Sequence, residues 1–406
     1  MIQNTIHRLL LRRHFWRYAT FSEVAELYAA RLLRMTANSL VSVFVAVFLY
    51  KSGYSLAYIA TFYSLYFAFK LVAATPAALL TAHVGPKHGM LIANLLAIPS
   101  LVALPLLPTI GEWALVIFTI CQGTSIALYG ICHTVDFSKV KHADHAGKEI
   151  SFMNIMDKIA AGVSPLIGGI IAWLAAPEFT MWLAAGLFMV AALPLLRTGE
   201  PVRVGQKLSF RGFPWRETWR SLVANIGVGV DNTASVVLWP LFLTVVVFAG
   251  SGSSVYAQIG GLATITLLVG FVASQMYGVL IDRRRGGELL RYATLANSFT
   301  HAIRPLIHTP ISAALANVIN ETATTGYTMA FIRGMFDLAD RSGHRIAYLL
   351  LIELTLNLGS LLISLVLLGL VLVLQPQSAL SAAFFVAAGL TLFIAFANFP
   401  LYRRSK

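Results

Sequence analysis

From Ile346 to Leu374 the chain reads IAYLLLIELTLNLGSLLISLVLLGLVLVL, twenty-nine residues with Glu353 as the single charge. Wound as a helix at about 1.5 Å per residue, it is longer than the ~30 Å hydrocarbon layer of a bilayer. Comparable stretches fill the rest of the chain. Hydropathy together with Gly, Pro and polar breakers predicts twelve spans, near 29–50, 56–82, 89–107, 112–135, 150–175, 178–197, 221–249, 255–281, 289–307, 310–336, 346–374 and 378–402. The turns between many of them, such as Lys51-Ser52-Gly53 and Gln375-Pro376-Gln377, are so short that neighbouring helices must run antiparallel. Composition agrees: 58% of the 406 residues are hydrophobic and 12% charged, with a mean hydropathy of +0.75. A soluble domain carries about twice that charged fraction. A water-soluble enzyme, a disordered chain and a disulfide-built secreted module are thereby excluded. The expected fold class is an all-α integral membrane protein of twelve transmembrane helices.

A net charge of +13 would suggest nucleic acid in a soluble protein, but here position decides. Against the predicted spans, 26 of the 30 Lys and Arg fall on one side. Basic residues mark cytoplasmic loops, so both termini are expected in the cytoplasm, in a plasma (bacterial inner) membrane, with no nucleic-acid partner. The other four are Lys51 in a turn and Lys70, Lys158 and Arg304 inside spans. Arg31 and Arg34 count here with the basic N-terminal arm. In that arm Arg8, Arg12, Arg13 and Arg17 alternate with Ile6, Leu9, Leu10, Phe15 and Trp16, which reads equally as an amphipathic helix on the inner leaflet or as a frayed basic tail.

The longest connection falls almost midway and is rich in Gly and Pro. It divides the chain into a basic N-terminal segment (1–28), a six-helix bundle (29–197), a cytoplasmic linker (198–220), a second bundle (221–402) and a tail (403–406). An internal repeat supports the division. Gly147-Lys148-Glu149-Ile150-Ser151-Phe152 leads into the fifth span and on to Asp157, and Gly343-His344-Arg345-Ile346-Ala347-Tyr348 leads into the eleventh and on to Glu353. The two copies keep one offset, 196 residues, without a gap.

Between the second and third helices of each half lies a short basic loop. The second-half copy is Gly278-Val279-Leu280-Ile281-Asp282-Arg283-Arg284-Arg285-Gly286-Gly287; the first keeps Gly85 and Lys87 but has Ala82 and His83 where an Asp and an Arg belong. The fifth span contains Ser164-Pro165-Leu166-Ile167-Gly168-Gly169. With twelve spans and a mid-chain cytoplasmic loop, these features resemble the major facilitator superfamily of secondary transporters, whose signature loop is G-x-x-x-D-R-x-G-R/K and whose antiporters carry a G-P-x-x-G-G element. The resemblance implies two pseudo-symmetric bundles, a monomer, and a central cavity lined by the first, fourth, seventh and tenth helices. It also implies that the second helix abuts the eleventh and the fifth abuts the eighth. Read from the residues alone, Asp282 and Arg283 brace a helix end or belong to a solvated loop, and Pro165, Gly168 and Gly169 give close helix contact and a point of bending.

Ionisable groups inside spans cost about 2.5–3.5 kcal/mol on insertion scales and need partners or a wet cavity. Asp231 lies about ten residues into the seventh span and Glu321 about eleven into the tenth, so both reach the midplane at ~15 Å depth. By the resemblance they face the cavity together, as substrate or proton-coupling groups, with Glu321 the principal proton site. Either would also suit a cationic substrate, or be satisfied locally, Asp231 by Asn232 or Thr233 and Glu321 by Asn317, Asn320 or Thr324. Nearer the cytoplasm, Lys70 and Glu353 would close an inter-bundle ion pair and Asp157 would meet Gln275. The competing arrangement is a pair within one half, such as Asp157 with Lys158. Arg304 reads first as a snorkelling residue at a helix end and only second as an attractor for an anionic substrate. His301 and His133 read as polar residues at helix ends or interfaces, and Phe62, Tyr63, Tyr66, Phe67 and Phe69 as packing or lipid-facing rather than as a substrate cage.

No nucleophile–base set, Gly-rich phosphate loop or cofactor motif is present, so neither an enzyme nor a cofactor is expected. His142, Asp144 and His145 have metal-like spacing but occupy a basic loop, and Cys121 and Cys132 read as small apolar residues, so no metal is expected. The expected function is proton-coupled transport of a small organic solute by alternating access, leaning to export by antiport, with substrate, protons and membrane lipids as partners. The alternatives are a lipid or lysolipid carrier of the same fold, and a non-transporting membrane enzyme or assembly factor.

Overall fold

The computed structural model describes residues 21–140, 146–197, 208–283 and 285–402, with side chains described except at 21–25, 137–140, 146–154, 267 and 268. The basic arm at 1–20, the group His142, Asp144 and His145, residues 198–207 of the linker, Arg284 and the tail at 403–406 lie outside the described residues. So do the side chains of Gly147 to Phe152.

Among the described residues there is no strand, and the fold is twelve long helices. They are α1 (Glu26–Lys51), α2 (Leu56–Val84), α3 (Pro86–Ile110), α4 (Trp113–Val140), α5 (Ala146–Leu174), α6 (Pro177–Leu196), α7 (Trp215–Val247), α8 (Val255–Asp282), α9 (Gly286–Ile303), α10 (Pro310–Arg341), α11 (Arg345–Val371) and α12 (Pro376–Phe396). Helices α1–α6 pack chiefly on one another, as do α7–α12, giving two six-helix bundles. The main seams between the bundles are α5 on α8 and α2 on α11. Ten of the twelve meet the length and hydropathy of a membrane span; α9 and α10 do not. Their length suffices, but Asn297, His301 and Arg304 at α9, and Asn317, Asn320 and Glu321 in α10, lower their hydropathy.

Helix ends follow local chemistry. Ser55 caps α2 by accepting from the Tyr58 amide at 3.2 Å, and Thr309 with Ser312 forms a capping box on α10. Gly85 alone joins α2 to α3 at φ +91°, a conformation that favours glycine, which accounts for the Gly that the first basic loop retains. On α2 the outward residues Leu65, Val72 and Leu79 recur every seven positions, while Tyr66, Lys70 and Ala77 turn inward. α1 is broken by a turn at residues 42–44, and α7 widens into π turns at Ala234–Leu238 and Leu243–Val247. Such turns interrupt a regular helix and recur at functional sites.

The α5–α8 seam explains its glycines. A Cβ on Gly169 would strike the Tyr256 carbonyl of α8, and one on Gly260 would strike the Pro165 carbonyl of α5. Thr264 Oγ1 then donates to the Gly162 carbonyl at 2.7 Å across the same seam. Gly168 faces the other way, where a Cβ would come within 2.6 Å of the Leu40 carbonyl in α1. Pro165, Gly168 and Gly169 thus let three backbones approach closely, the small-residue packing that membrane helices use.

Candidate functional site

Between the bundles lies a cavity of about 290 Å³. Helix directions put it in the half of the molecule away from the basic loops. Its walls come from α1 (Asn38, Ser42, Val45), α2 (Tyr63, Tyr66, Phe67, Lys70), α4 (Phe118, Gln122), α7 (Asn232, Val236) and α11 (Leu356, Ser360). A second cavity of about 260 Å³ lies toward the basic loops and is lined in part by Gly130, Asn225, Tyr327, Met335 and Glu353. Asn232 and Leu356 stand in the walls of both. Three of the five aromatic residues read as packing or lipid-facing, Tyr63, Tyr66 and Phe67, wall the first cavity, because α2 turns that face inward.

The two midplane acids do not share this cavity. Asp231 is 1% exposed and is held by α9 and α10: His301 Nε2 lies 2.7 Å from its Oδ1, Asn297 donates to it at 3.0 Å, and the Tyr327 hydroxyl donates to Oδ2. Its partners are therefore distant in sequence, not the adjacent Asn232 or Thr233. The neighbouring Asn232 is the residue that faces the cavity. Behind His301 stands Arg304, whose guanidinium reaches His301 Nδ1 at 2.9 Å and lies 4.8 Å over the Trp239 ring. At 1% exposure Arg304 does not snorkel; it completes a buried cluster.

Glu321 forms an ion pair with Lys158 of α5, so the bridge between the bundles runs from α5 to α10. Thr325 Oγ1 donates to Glu321 Oε1 at 3.1 Å. Gly270 of α8 leaves space for the pair: a Cβ there would lie 2.9 Å from Glu321 Oε1. Asp157 does not reach Gln275, which is exposed. It takes a two-pronged bond from Arg31 of α1 at 2.9 and 2.6 Å, within the first bundle. Asp157 and Lys158 are adjacent on α5, so one points into its own bundle and the other across to the second.

Lys70 and Glu353 are neighbours without an ion pair. Glu353 is the carboxylate that acts electrostatically on the Lys70 ammonium, but no nitrogen–oxygen contact within 4.0 Å joins them. Glu353 accepts instead from Asn357 at 2.9 Å, in a space left by Gly130. Lys70, 6% exposed, opens onto the first cavity with the Tyr66 and Phe67 rings 5.9 and 5.7 Å from its nitrogen.

Two cations counted with the basic arm, although they fall within the expected first span, lie inside α1. Arg34, 4% exposed, donates to Asn94 at 2.7 Å and to Ser125 Oγ at 3.0 Å, and lies 4.0 Å over the Tyr129 ring. Arg31 meets His133 as well as Asp157. Inside the span these charges are satisfied by the bundle rather than by water.

In the basic loops, Lys87 is buried and pairs with Glu26 of α1 at 2.9 Å, a bond that does not use the altered Ala82–His83 positions. Gly278 is buried in the last turns of α8, and Asp282 ends that helix. Gly286 opens α9 under the Tyr402 ring, which a Cβ would strike. Arg283 lies on a recess of about 360 Å³ with Arg285, Arg291 and Asn398.

The model of the Major Facilitator Superfamily family matches residues 27–336. No curated protein is matched by the sequence. Among solved structures, the human organic anion transporter MFSD10 (TETRAN) superposes with a TM-score of 0.68 at 12% identity, covering 93% of this chain and 100% of that one. The transporter FucP in its outward conformation gives 0.64 at 14% identity, covering 91% and 97%. At such identities the likeness is one of fold, while the family match spans most of the chain. This multi-pass membrane protein belongs to the Major Facilitator Superfamily.

Proposed function

We propose that this chain is a secondary transporter that moves a small organic solute by alternating access, coupled to protons through Glu321. The observation that carries the reading is the Lys158–Glu321 pair. It joins the bundles through α5 and α10, and its side chains are 20% and 18% exposed, so water reaches it. A proton on Glu321 removes the charge that holds Lys158 across the seam. Protonation and closure of this bridge therefore compete, and such competition biases an equilibrium between two arrangements of the bundles. Asp231, enclosed by three donors, is assigned to structure instead.

The basic loops face the cytoplasm of a plasma (bacterial inner) membrane in this proposal, by the positive-inside asymmetry, and the chain works as a monomer. Export by antiport is the proposed direction, on the Pro165-Leu166-Ile167-Gly168-Gly169 element.

The test uses purified protein in liposomes offered a mixed solute library with and without an imposed pH gradient. Wild type is expected to accumulate a solute in a gradient-dependent way, and Glu321→Gln to lose that dependence while remaining folded. Unchanged pH dependence in Glu321→Gln would remove Glu321 from the coupling.

A further inference from the structure

The substrate class of this cavity follows from the charges on its wall, and the inference rests on the transport reading above. Among the described residues, Lys70 is the one charged side chain lining the first cavity, and no carboxylate lines it. The carboxylates that would suit a cationic solute are engaged elsewhere. Asp157 is held by Arg31, Asp231 by His301, Asn297 and Tyr327, and Glu321 by Lys158. Glu353 belongs to the other cavity and accepts from Asn357.

Lys70 itself makes no hydrogen bond or ion pair among the described residues. An ammonium at this depth with no ion-pair partner within 4.0 Å is costly, and the two flanking rings and the longer-range field of Glu353 offset only part of that cost. A carboxylate or similar anion entering the cavity would supply the missing partner. The rest of the wall is aromatic and aliphatic, with Asn38, Gln122 and Asn232 as neutral polar groups. A volume of about 290 Å³ is at the small end of ligand sites, suited to a body of one or two rings.

We propose that the cavity binds a small organic monoanion with an aromatic or aliphatic body, and that Lys70 is the group that selects its charge. Lys70 then acts as a recognition residue rather than as half of a fixed gate with Glu353.

The test is equilibrium binding to the full-length protein in nanodiscs, using three probes of one shape: radiolabelled 2-naphthoate, 2-naphthamide and 2-naphthylmethylammonium. Naphthoate is expected to bind at least about tenfold tighter than the amide, and the ammonium weakest. Lys70→Gln should bring naphthoate down to the level of the amide, with its fold certified by a single monodisperse peak on size exclusion; Lys70→Arg should keep the preference for the anion. If Lys70→Gln does not fold, the wild-type series and Lys70→Arg still decide. Equal or better binding of the amide or the ammonium, no binding of naphthoate, or an unchanged preference in Lys70→Gln would each overturn the assignment. Binding requires no gradient, so the two readings fail separately. Lys70-dependent naphthoate binding with gradient-blind flux would remove proton coupling alone. Gradient-driven flux of a cation, with no naphthoate binding, would remove the anion assignment alone.

Discussion

The two bundles bury the same kind of cluster around opposite charges. In the first, Arg34 of α1 meets Asn94 of α3, the Tyr129 ring of α4 and, at 5.2 Å, the Phe188 ring of α6. In the second, Asp231 of α7 meets Asn297 of α9 and Tyr327 of α10, and Phe384 of α12 stacks on its partner His301. The corresponding residues stand 197, 203, 198 and 196 positions apart, close to the offset of the internal repeat. Inversion of the central charge changes how each neighbour is used. Tyr129 offers its ring to a cation; Tyr327 turns its hydroxyl to an anion. The second cluster also adds His301 and Arg304, so its anion has a cation behind it, whereas Arg34 bonds only neutral groups and rings and its charged neighbour is another cation, Arg31, which Asp157 holds. A pseudo-symmetric scaffold therefore keeps the sites and leaves their electrostatics free to diverge.

The sharpest way to break this comparison is to remove the two central charges. Asp231→Leu would leave Arg304 and His301 buried without an anion, a loss expected to cost about 3–5 kcal/mol. Arg34→Met removes a buried charge without stranding an opposite one, so its cost should stay near ~1 kcal/mol, from the bonds to Asn94 and Ser125. Unfolding midpoints in detergent–SDS mixtures would compare the two, and similar losses would contradict the inferred asymmetry. A smaller effect separates the tyrosines. Tyr327→Phe deletes a donor to a carboxylate and should cost about 1.5–3 kcal/mol, while Tyr129→Phe keeps the ring that Arg34 uses and should stay within ~0.5 kcal/mol. A larger loss in Tyr129→Phe than in Tyr327→Phe would reverse the assignment of ring and hydroxyl.

The spans were legible in sequence because lipid demands long apolar runs, and even α9 and α10 were visible from their bounding Pro, Gly and Thr residues. The seams α2–α11 and α5–α8 followed from the resemblance. Individual partners were not legible, since Asp231 and His301 are 70 residues apart and one sequence does not say which faces meet. Arg31 and Arg34 were misplaced for a related reason: at the start of a span, a buried cation and a loop cation look alike. Two signals were nonetheless present. His301 and Arg304 are three apart on one helix face, and Arg34 and Asp231 stand 197 residues apart, within one residue of the 196-residue repeat offset, which points to equivalent interior positions.

The polarity of α9 and α10 bears on how the chain enters a membrane. A translocon releases each helix into lipid according to its own apolarity, and these two are the helices that miss the hydropathy and charge limits of a membrane span. Their Asn297, His301 and Glu321 find partners on α7, α5 and within α10, never in hydrocarbon. Keeping these helices beside their partners until the bundle is assembled, with α7 already in place when α9 arrives, would meet that shortfall. The order of synthesis suits such an assembly, because the helix carrying Asp231 emerges before the helices that enclose it.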